Sequence, residues 1–84
     1  MIQLRYFGRL REQVQTGGEE LEFSSELDNV GCLLEHLCKR GETWESALNG
    51  QAAVLMAVNQ ELASTETRLA DGDEVAFFPP VTGG

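Results

Sequence analysis

The chain has 84 residues, of which 42% are hydrophobic and 24% charged, a composition typical of one soluble globular domain and not of a disordered chain. Acidic residues outnumber basic ones 14 to 6, giving a formal charge of −8 at pH 7. Because this charge repels phosphate backbones and anionic lipids, it argues against nucleic-acid and membrane partners. The first residues do not resemble a signal peptide, and no apolar stretch is long enough to cross a bilayer, so we expect a cytoplasmic protein.

The first part of the chain is predicted to form a strand, a short helix and a second strand. Ile2, Leu4 and Tyr6 alternate with polar neighbours, as in a half-buried strand. Residues 9–14 are predicted to be helical, and the helix should stop before two glycines. Residues 20–23 alternate again and are expected to pair back on the first strand as a hairpin. We interpret the paired acids Glu19 and Glu20 as solvated charge.

A central helix is predicted from one continuous apolar face. The face repeats at i, i+3, i+4, i+7 and i+8, and it consists of Val30, Leu33, Leu34, Leu37 and Cys38. Ser25 or Asp28 is expected to cap its N-terminus, and Gly41 to end it. Gly31 lies inside this helix at a cost of about 1 kcal/mol relative to alanine, for which the sequence offers no reason.

The second part of the chain adds a short helix around Trp44 and two further strands, with a short strand between them. Residues 54–58 are apolar on both faces, which indicates an interior strand. A turn at residues 71–73 leads into a final strand at 74–78. The order of elements predicts an α+β fold, a mixed sheet packed on one face by the central helix. Residues 1–84 are expected to form one domain.

Neither a disulfide nor a metal site is expected. Cys32 and Cys38 would lie on different faces of one helix, about 9 Å apart along its axis, too far to bridge. Reduced thiols also fit a cytoplasmic protein. The chain has one histidine, His36, with no cluster of ligands at metal-binding spacing.

An exposed apolar patch is predicted from the phase of the strands. If Tyr6 and Phe77 face the core, Phe7 and Phe78 lie on the opposite face of the sheet, where Leu62 could join them. The alternative is a second small core cluster under a loop. Exposed apolar patches on small proteins usually mark a partner site, so Phe7, Leu62 and Phe78 are candidate interface residues.

The C-terminal residues 78–84 are predicted to form an extended functional tail. Pro79 and Pro80 forbid a helix and favour an extended backbone, so residues 79–84 could project by up to about 20 Å at roughly 3.3 Å per residue. Val81 and Thr82 continue the tail, and Gly83 and Gly84 have no side chain to obstruct a narrow channel. The distinctive chemical group at its tip is the α-carboxylate of Gly84. Disordered terminal glycines are the simpler alternative.

These residues resemble the MoaD family, the small sulfur-carrier subunits of molybdopterin synthase. The resemblance is strong over residues 2–14, around Tyr6-Phe7-Gly8-Arg9, and over residues 54–84, with their Pro-Pro-Val-Thr-Gly-Gly ending. Between residues 15 and 53 only the pattern of elements is similar. The resemblance implies a β-grasp, ubiquitin-like fold with a flexible Gly-Gly tail.

The resemblance also implies a mechanism in which this subunit is a cosubstrate and the catalytic centre lies on the large subunit. An ATP-dependent adenylyltransferase, similar to an E1 enzyme, would adenylate Gly84, and a sulfurtransferase would supply sulfur to form a 1-thioglycine thiocarboxylate. The tail would then enter the large synthase subunit and give its sulfur to the cyclic pyranopterin precursor. A heterotetramer with that subunit is expected, and no bound cofactor or metal is expected.

Three alternatives remain open. One is a sulfur carrier for another pathway, such as thiazole synthesis, which shares the fold and the two glycines. Another is a ubiquitin-like protein modifier, in which the activated Gly84 forms isopeptide bonds. The third is an interaction module that uses the apolar patch without any chemistry at the tail.

Overall fold

The computed structural model describes residues 1–50 and 53–80, which form five strands and three α-helices. In chain order the elements are β1 (Ile2–Tyr6), α1 (Arg9–Val14), β2 (Gly18–Leu21), α2 (Val30–Cys38), α3 (Glu42–Asn49), β3 (Leu55–Val58), β4 (Glu61–Ala63) and β5 (Glu74–Phe78). A single 3-10 turn, Ser25–Leu27, precedes α2. The predicted order of elements is confirmed, although β2 begins two residues earlier than the sequence pattern indicated.

The five strands form one mixed sheet in the order β2-β1-β5-β3-β4. The first and last strands, β1 and β5, lie side by side and parallel, with Tyr6 opposite Phe77. All other pairs are antiparallel, including β1 with β2 and β3 with β5. Since β3 lies between β5 and β4, the prediction of an interior strand at this position is correct. The sheet and its helices confirm the β-grasp fold.

The hydrophobic core lies between one face of the sheet and the helices. The strand phase predicted from the sequence is confirmed, because Ile2, Leu4 and Tyr6 are each no more than 1% exposed. The central helix contributes a stripe at i, i+3 and i+7 that is completely buried, consisting of Val30, Leu33 and Leu37. Each fully buried side chain of this size contributes about 1.5–3 kcal/mol relative to an exposed one.

The N-terminal cap of α2 differs from the prediction. Asn29 is the capping residue, and its side-chain oxygen accepts a hydrogen bond of 2.8 Å from the backbone N–H of Cys32. Neither Ser25 nor Asp28 caps this helix, because Ser25 belongs to the 3-10 turn and Asp28 already has helical backbone angles. A cap needs an extended backbone directly before the first helical residue, and Asn29 has it, with φ −145° and ψ 170°.

The structure explains the glycine inside α2. The backbone N–H of Gly31 donates a 2.8 Å hydrogen bond to the carbonyl oxygen of Thr65. A Cβ atom on residue 31 would lie 3.1 Å from that oxygen and 3.3 Å from the Thr65 Cβ. The loop after β4 therefore approaches the helix so closely that only a residue without a side chain fits comfortably.

Cys32 and Cys38 are both half-buried and are not joined to each other, in agreement with the prediction that they do not bridge. None of the helices within residues 1–50 and 53–80 combines the length and apolar character needed to cross a membrane. In the same residues, no three His, Cys, Asp or Glu side chains are grouped so that they could hold a metal ion.

Candidate functional site

The candidate tail begins where β5 ends at the sheet. Pro79, which follows Phe78 directly, is half-buried, and Pro80 is exposed. The backbone N–H of Phe7 donates a 3.1 Å hydrogen bond to the carbonyl oxygen of Phe77, so the parallel ladder between β1 and β5 reaches almost to the first proline. The rest of the predicted tail, Val81, Thr82, Gly83 and Gly84, lies outside the described residues.

Gly8 forms the surface against which the tail begins. Its backbone has φ 59° and ψ −138°, a region that residues with a side chain rarely adopt. A Cβ atom at this position would lie 2.9 Å from Cγ and 3.1 Å from Cδ of Pro79. The glycine therefore allows the turn between β1 and α1 and the close contact with the proline ring at the same time.

An apolar patch lies beside this point, on the face of the sheet opposite the helices. We define the apolar patch as Phe7, Leu55, Leu62 and Phe78. Phe7 is 49% exposed and Leu62 is 76% exposed, while Phe78 is half-buried. Phe78 pairs across the strands with Leu55, which is 37% exposed. The structure thus brings the three candidate interface residues to one face of the sheet.

Sequence reasoning missed Leu55 as a member of this patch. Residues 54–58 are apolar on both faces, so the composition of the strand does not tell which side chains face solvent. The register supplies that information, because Leu55 lies opposite Phe78 and Ala57 lies opposite both Leu62 and Ala76. Small alanine side chains between the larger ones leave the patch shallow and open.

A polar network around Tyr6 lies at the same end of these strands, next to Phe77. Arg40 donates two hydrogen bonds to the Glu19 carboxylate, at 2.8 and 2.9 Å, and the Tyr6 hydroxyl donates a third at 3.0 Å. The Arg40 guanidinium lies 4.7 Å from the centre of the Trp44 ring, a cation–π contact. Tyr6 stacks on Phe77 with ring centroids 5.9 Å apart, so the network fixes the strand from which the tail emerges.

The network changes the acid–base properties of its members. The two hydrogen bonds from Arg40 hold the pKa of the Glu19 carboxyl below its ordinary value, and the single one from Tyr6 acts in the same direction, against the opposing effect of burial. Burial, followed by the charge of Glu19, raises the pKa of the Tyr6 hydroxyl well above its ordinary value. The interpretation of Glu19 as solvated charge was therefore wrong, whereas Glu20 is exposed as expected. Their adjacent positions in sequence gave no indication of the difference.

Charged residues also flank the tail and the patch. Arg9, which follows Gly8, donates hydrogen bonds to the Gln13 side chain at 2.9 Å and to the carbonyl oxygen of Ala53 at 3.1 Å. Arg5 forms an ion pair of 3.5 Å with Glu74. These contacts connect α1 to the segment before β3 and hold the central strands together. Their solvent exposure limits each to a few tenths of a kcal/mol.

Comparison with known proteins agrees with this geometry. Residues 4–84 match the ThiS family. The molybdopterin synthase sulfur carrier subunit of Escherichia coli K12 is 43% identical over 84 residues, covering 100% of both chains. The protein of the same name from Haemophilus influenzae is 36% identical over the same extent.

Solved structures show the same fold. The small archaeal modifier protein 1 of Haloferax volcanii has a TM-score of 0.79 and 26% identity, covering 95% of this chain and 97% of that one. A Pyrococcus furiosus protein provisionally named molybdopterin converting factor, subunit 1, has a TM-score of 0.77 and 30% identity over the same shares. By sequence and fold, the chain belongs to the ThiS family, among the molybdopterin synthase sulfur carrier subunits.

Proposed function

We propose that this chain carries sulfur as a thiocarboxylate on Gly84 and donates it to the cyclic pyranopterin precursor during molybdenum cofactor biosynthesis. The observation that carries the proposal is the position of Pro79, packed on Gly8 at the end of β5. The next residue, Pro80, is exposed, and the C-terminal glycines follow it in sequence. The full-length identity with named sulfur carrier subunits supports the same conclusion.

The chemistry follows from the poor reactivity of a carboxylate. A Gly84 oxygen attacks the α-phosphorus of ATP on an adenylyltransferase, which forms a glycyl adenylate and releases pyrophosphate. A hydrosulfide equivalent from a sulfurtransferase then attacks the acyl carbon, and AMP leaves as the carbon–sulfur bond forms. The resulting sulfur is a better nucleophile than the oxygen it replaces. Two loaded chains serve each molybdopterin, since its dithiolene contains two sulfurs.

The body of the protein presents the tail to its partners. We propose that the apolar patch docks on the large synthase subunit, where catalysis takes place, while the tail enters that subunit. The exposure of Phe7 and Leu62 beside the half-buried Phe78 supports this assignment, since burying exposed apolar area is the main driving force of association. The small subunit then acts as a sulfur donor in the cytoplasm, without a catalytic centre of its own.

Intact mass spectrometry of the protein from cells tests the carrier chemistry. The thiocarboxylate form is expected to be about 16 Da heavier than the carboxylate form, because sulfur replaces oxygen. The heavier species should disappear in cells without the adenylyltransferase and in a variant lacking Gly84. A heavier species that persists in both backgrounds, with its mass located away from residue 84, would contradict the proposal.

A second candidate function is protein modification, favoured by the fold shared with the archaeal modifier protein. Here a lysine amine, and not sulfur, would attack the activated Gly84, leaving an isopeptide bond. Tagged protein in cell extracts distinguishes the two functions. Conjugates of higher mass that resist reducing agents and require Gly84 would indicate modification, and free protein carrying the extra 16 Da or so would indicate the carrier.

A further inference from the structure

A groove between α2 and α3 lies on the side of the molecule opposite the apolar patch. It has a volume of about 620 Å³. One wall comes from α2 and includes Leu34 and Cys38, and the other comes from α3 and includes Glu42 and Glu45. The wall from α2 extends from residue 31 to residue 39, about 12 Å at 1.5 Å per residue.

The wall from α2 is apolar because the helix has a wider hydrophobic face than the sheet covers. Val30, Leu33 and Leu37 are completely buried, but Leu34 and Cys38, one turn apart on the neighbouring face, are half-buried and line the groove. The apolar stripe from which α2 is predicted thus contributes side chains to two different surfaces. Its inner part packs on the sheet, and its outer part is available to another molecule.

The rim of the groove is acidic. Glu35 on α2 and Glu42 and Glu45 on α3 line it, together with one cation, Lys39. The surroundings of the Cys38 thiol raise its pKa above the ordinary value. Burial is the largest cause, and the negative charges of Glu45 and Glu35 add to it. The thiol therefore stays neutral and contributes to the apolar wall.

We propose that this groove binds a short, basic, amphipathic segment of a partner protein. Its apolar side chains would lie on Leu34 and Cys38, and its lysine or arginine side chains would pair with Glu35, Glu42 and Glu45. The complementarity of charge selects a cationic occupant over another copy of this acidic chain, whose formal charge is −8. The length of the wall fits about two helical turns.

The position of the groove has a consequence for assembly. Because α2 and α3 cover the inner face of the sheet and the apolar patch lies on its outer face, one partner does not obstruct the other. A protein with such a basic segment could hold the carrier while the patch and the tail remain accessible. This surface is independent of the proposed chemistry at Gly84.

Titration of the full-length 15N-labelled protein with a synthetic peptide tests the proposal. The probe is a short helical peptide with leucines on one face and arginines on the other, used at low ionic strength, where charge pairing is strongest. We expect chemical-shift changes concentrated in residues 31–45. A second peptide with serine in place of leucine should bind more weakly, which tests the apolar wall without altering the protein.

Two double variants with the same net charge isolate the acidic rim. Glu35→Gln/Glu45→Gln should weaken peptide binding about fivefold, the effect expected from losing two exposed charge pairs. Glu20→Gln/Glu22→Gln, which removes two exposed glutamates elsewhere, should change binding less than about twofold. Equal losses in both variants, or shifts centred on Phe7 and Leu62, would overturn the proposal. The proposal would also be overturned if the free protein self-associates and the peptide disrupts that association, because the occupant of the groove would then be a second copy of this chain.

Discussion

Pro79 lies so close to Gly8 that a Cβ atom on residue 8 would be only 2.9 Å from the proline Cγ. Gly8, the second residue after the first strand, therefore determines where the end of the last strand leaves the body. The contact depends on a backbone with φ 59° at residue 8, so one glycine meets both a conformational and a steric requirement.

Gly8→Ala is expected to impair the delivery of the tail. The new methyl group strains the backbone by about 1–3 kcal/mol and displaces the proline ring. Gly72→Ala is a matched control, because Gly72 also has a positive φ, 96°, but nothing lies within 4 Å of its Cβ position. Both variants should melt at lower temperature, but only Gly8→Ala should slow sulfur transfer in an assay with the adenylyltransferase and the large subunit. Equal transfer rates would contradict a role for this contact.

Gly84→Val is expected to block adenylation or tail insertion without lowering the melting temperature. A branched side chain at the terminal residue obstructs a narrow channel and hinders attack at its carboxylate. Adenylation is measured by pyrophosphate release, and stability by thermal unfolding. Ser24→Val, at an exposed position in the body, controls for the substitution itself. A marked loss of stability in Gly84→Val would mean that the tail is packed structure.

Leu62→Asp is expected to weaken binding to the large subunit by a factor of about ten or more, because it places a charge in a site that should become buried. Leu62 is 76% exposed in the free protein, so folding should be almost unaffected. Ser46→Asp, an exposed position on α3, adds the same charge on the opposite side of the molecule. Calorimetric titration measures both affinities, and an unchanged affinity for Leu62→Asp would remove this residue from the interface.

Glu19→Gln is expected to reduce stability at neutral pH by about 1–3 kcal/mol, the usual effect of losing charged hydrogen bonds. Because the folded pKa of Glu19 lies below its ordinary value of 4.5, the unfolded chain binds a proton first as the pH falls. The contribution is thus complete above pH 4.5 and is lost as the pH decreases through the folded pKa.

Urea unfolding over a range of pH values measures this effect. The stability curves of the wild type and of Glu19→Gln should converge below pH 4.5, where the wild type loses the charged pair. Glu20→Gln alters the exposed neighbour, and its free energy of unfolding should stay within about 0.5 kcal/mol of the wild-type value at each pH. A constant difference between the wild type and Glu19→Gln at every pH would contradict an ionic origin.

Much of the fold could be predicted from local patterns. Two spacings of apolar residues indicate directly which side chains are buried, and the structure confirms both. They are the alternation of Ile2, Leu4 and Tyr6 and the helical spacing of Val30, Leu33 and Leu37. The cap of α2 was harder to predict, since several residues of capping type precede the helix and only the backbone angles select Asn29.

Features that depend on contacts between distant segments could not be predicted in this way. The need for Gly31 arises from Thr65, and the ion pair of Glu19 is formed with Arg40, in the turn between α2 and α3. Leu55 joins the apolar patch only through the register of β3 against β5. The tail residues, in contrast, could be identified as a candidate site because their chemistry is a property of the terminal sequence itself.

The parallel alignment of β1 with β5 has a practical consequence for labelling experiments. Strands that run in the same direction start at the same end of the sheet, and the register places Pro79 level with Gly8, seven residues after Met1. Met1 and Pro79 are therefore separated by about 23 Å along the strands, at roughly 3.3 Å per residue. A fluorophore or purification handle joined ahead of Met1 would project from the end of the sheet remote from Pro79, where the proposed tail begins. Such fusions should report on encounters with partner enzymes while leaving the acyl chemistry undisturbed.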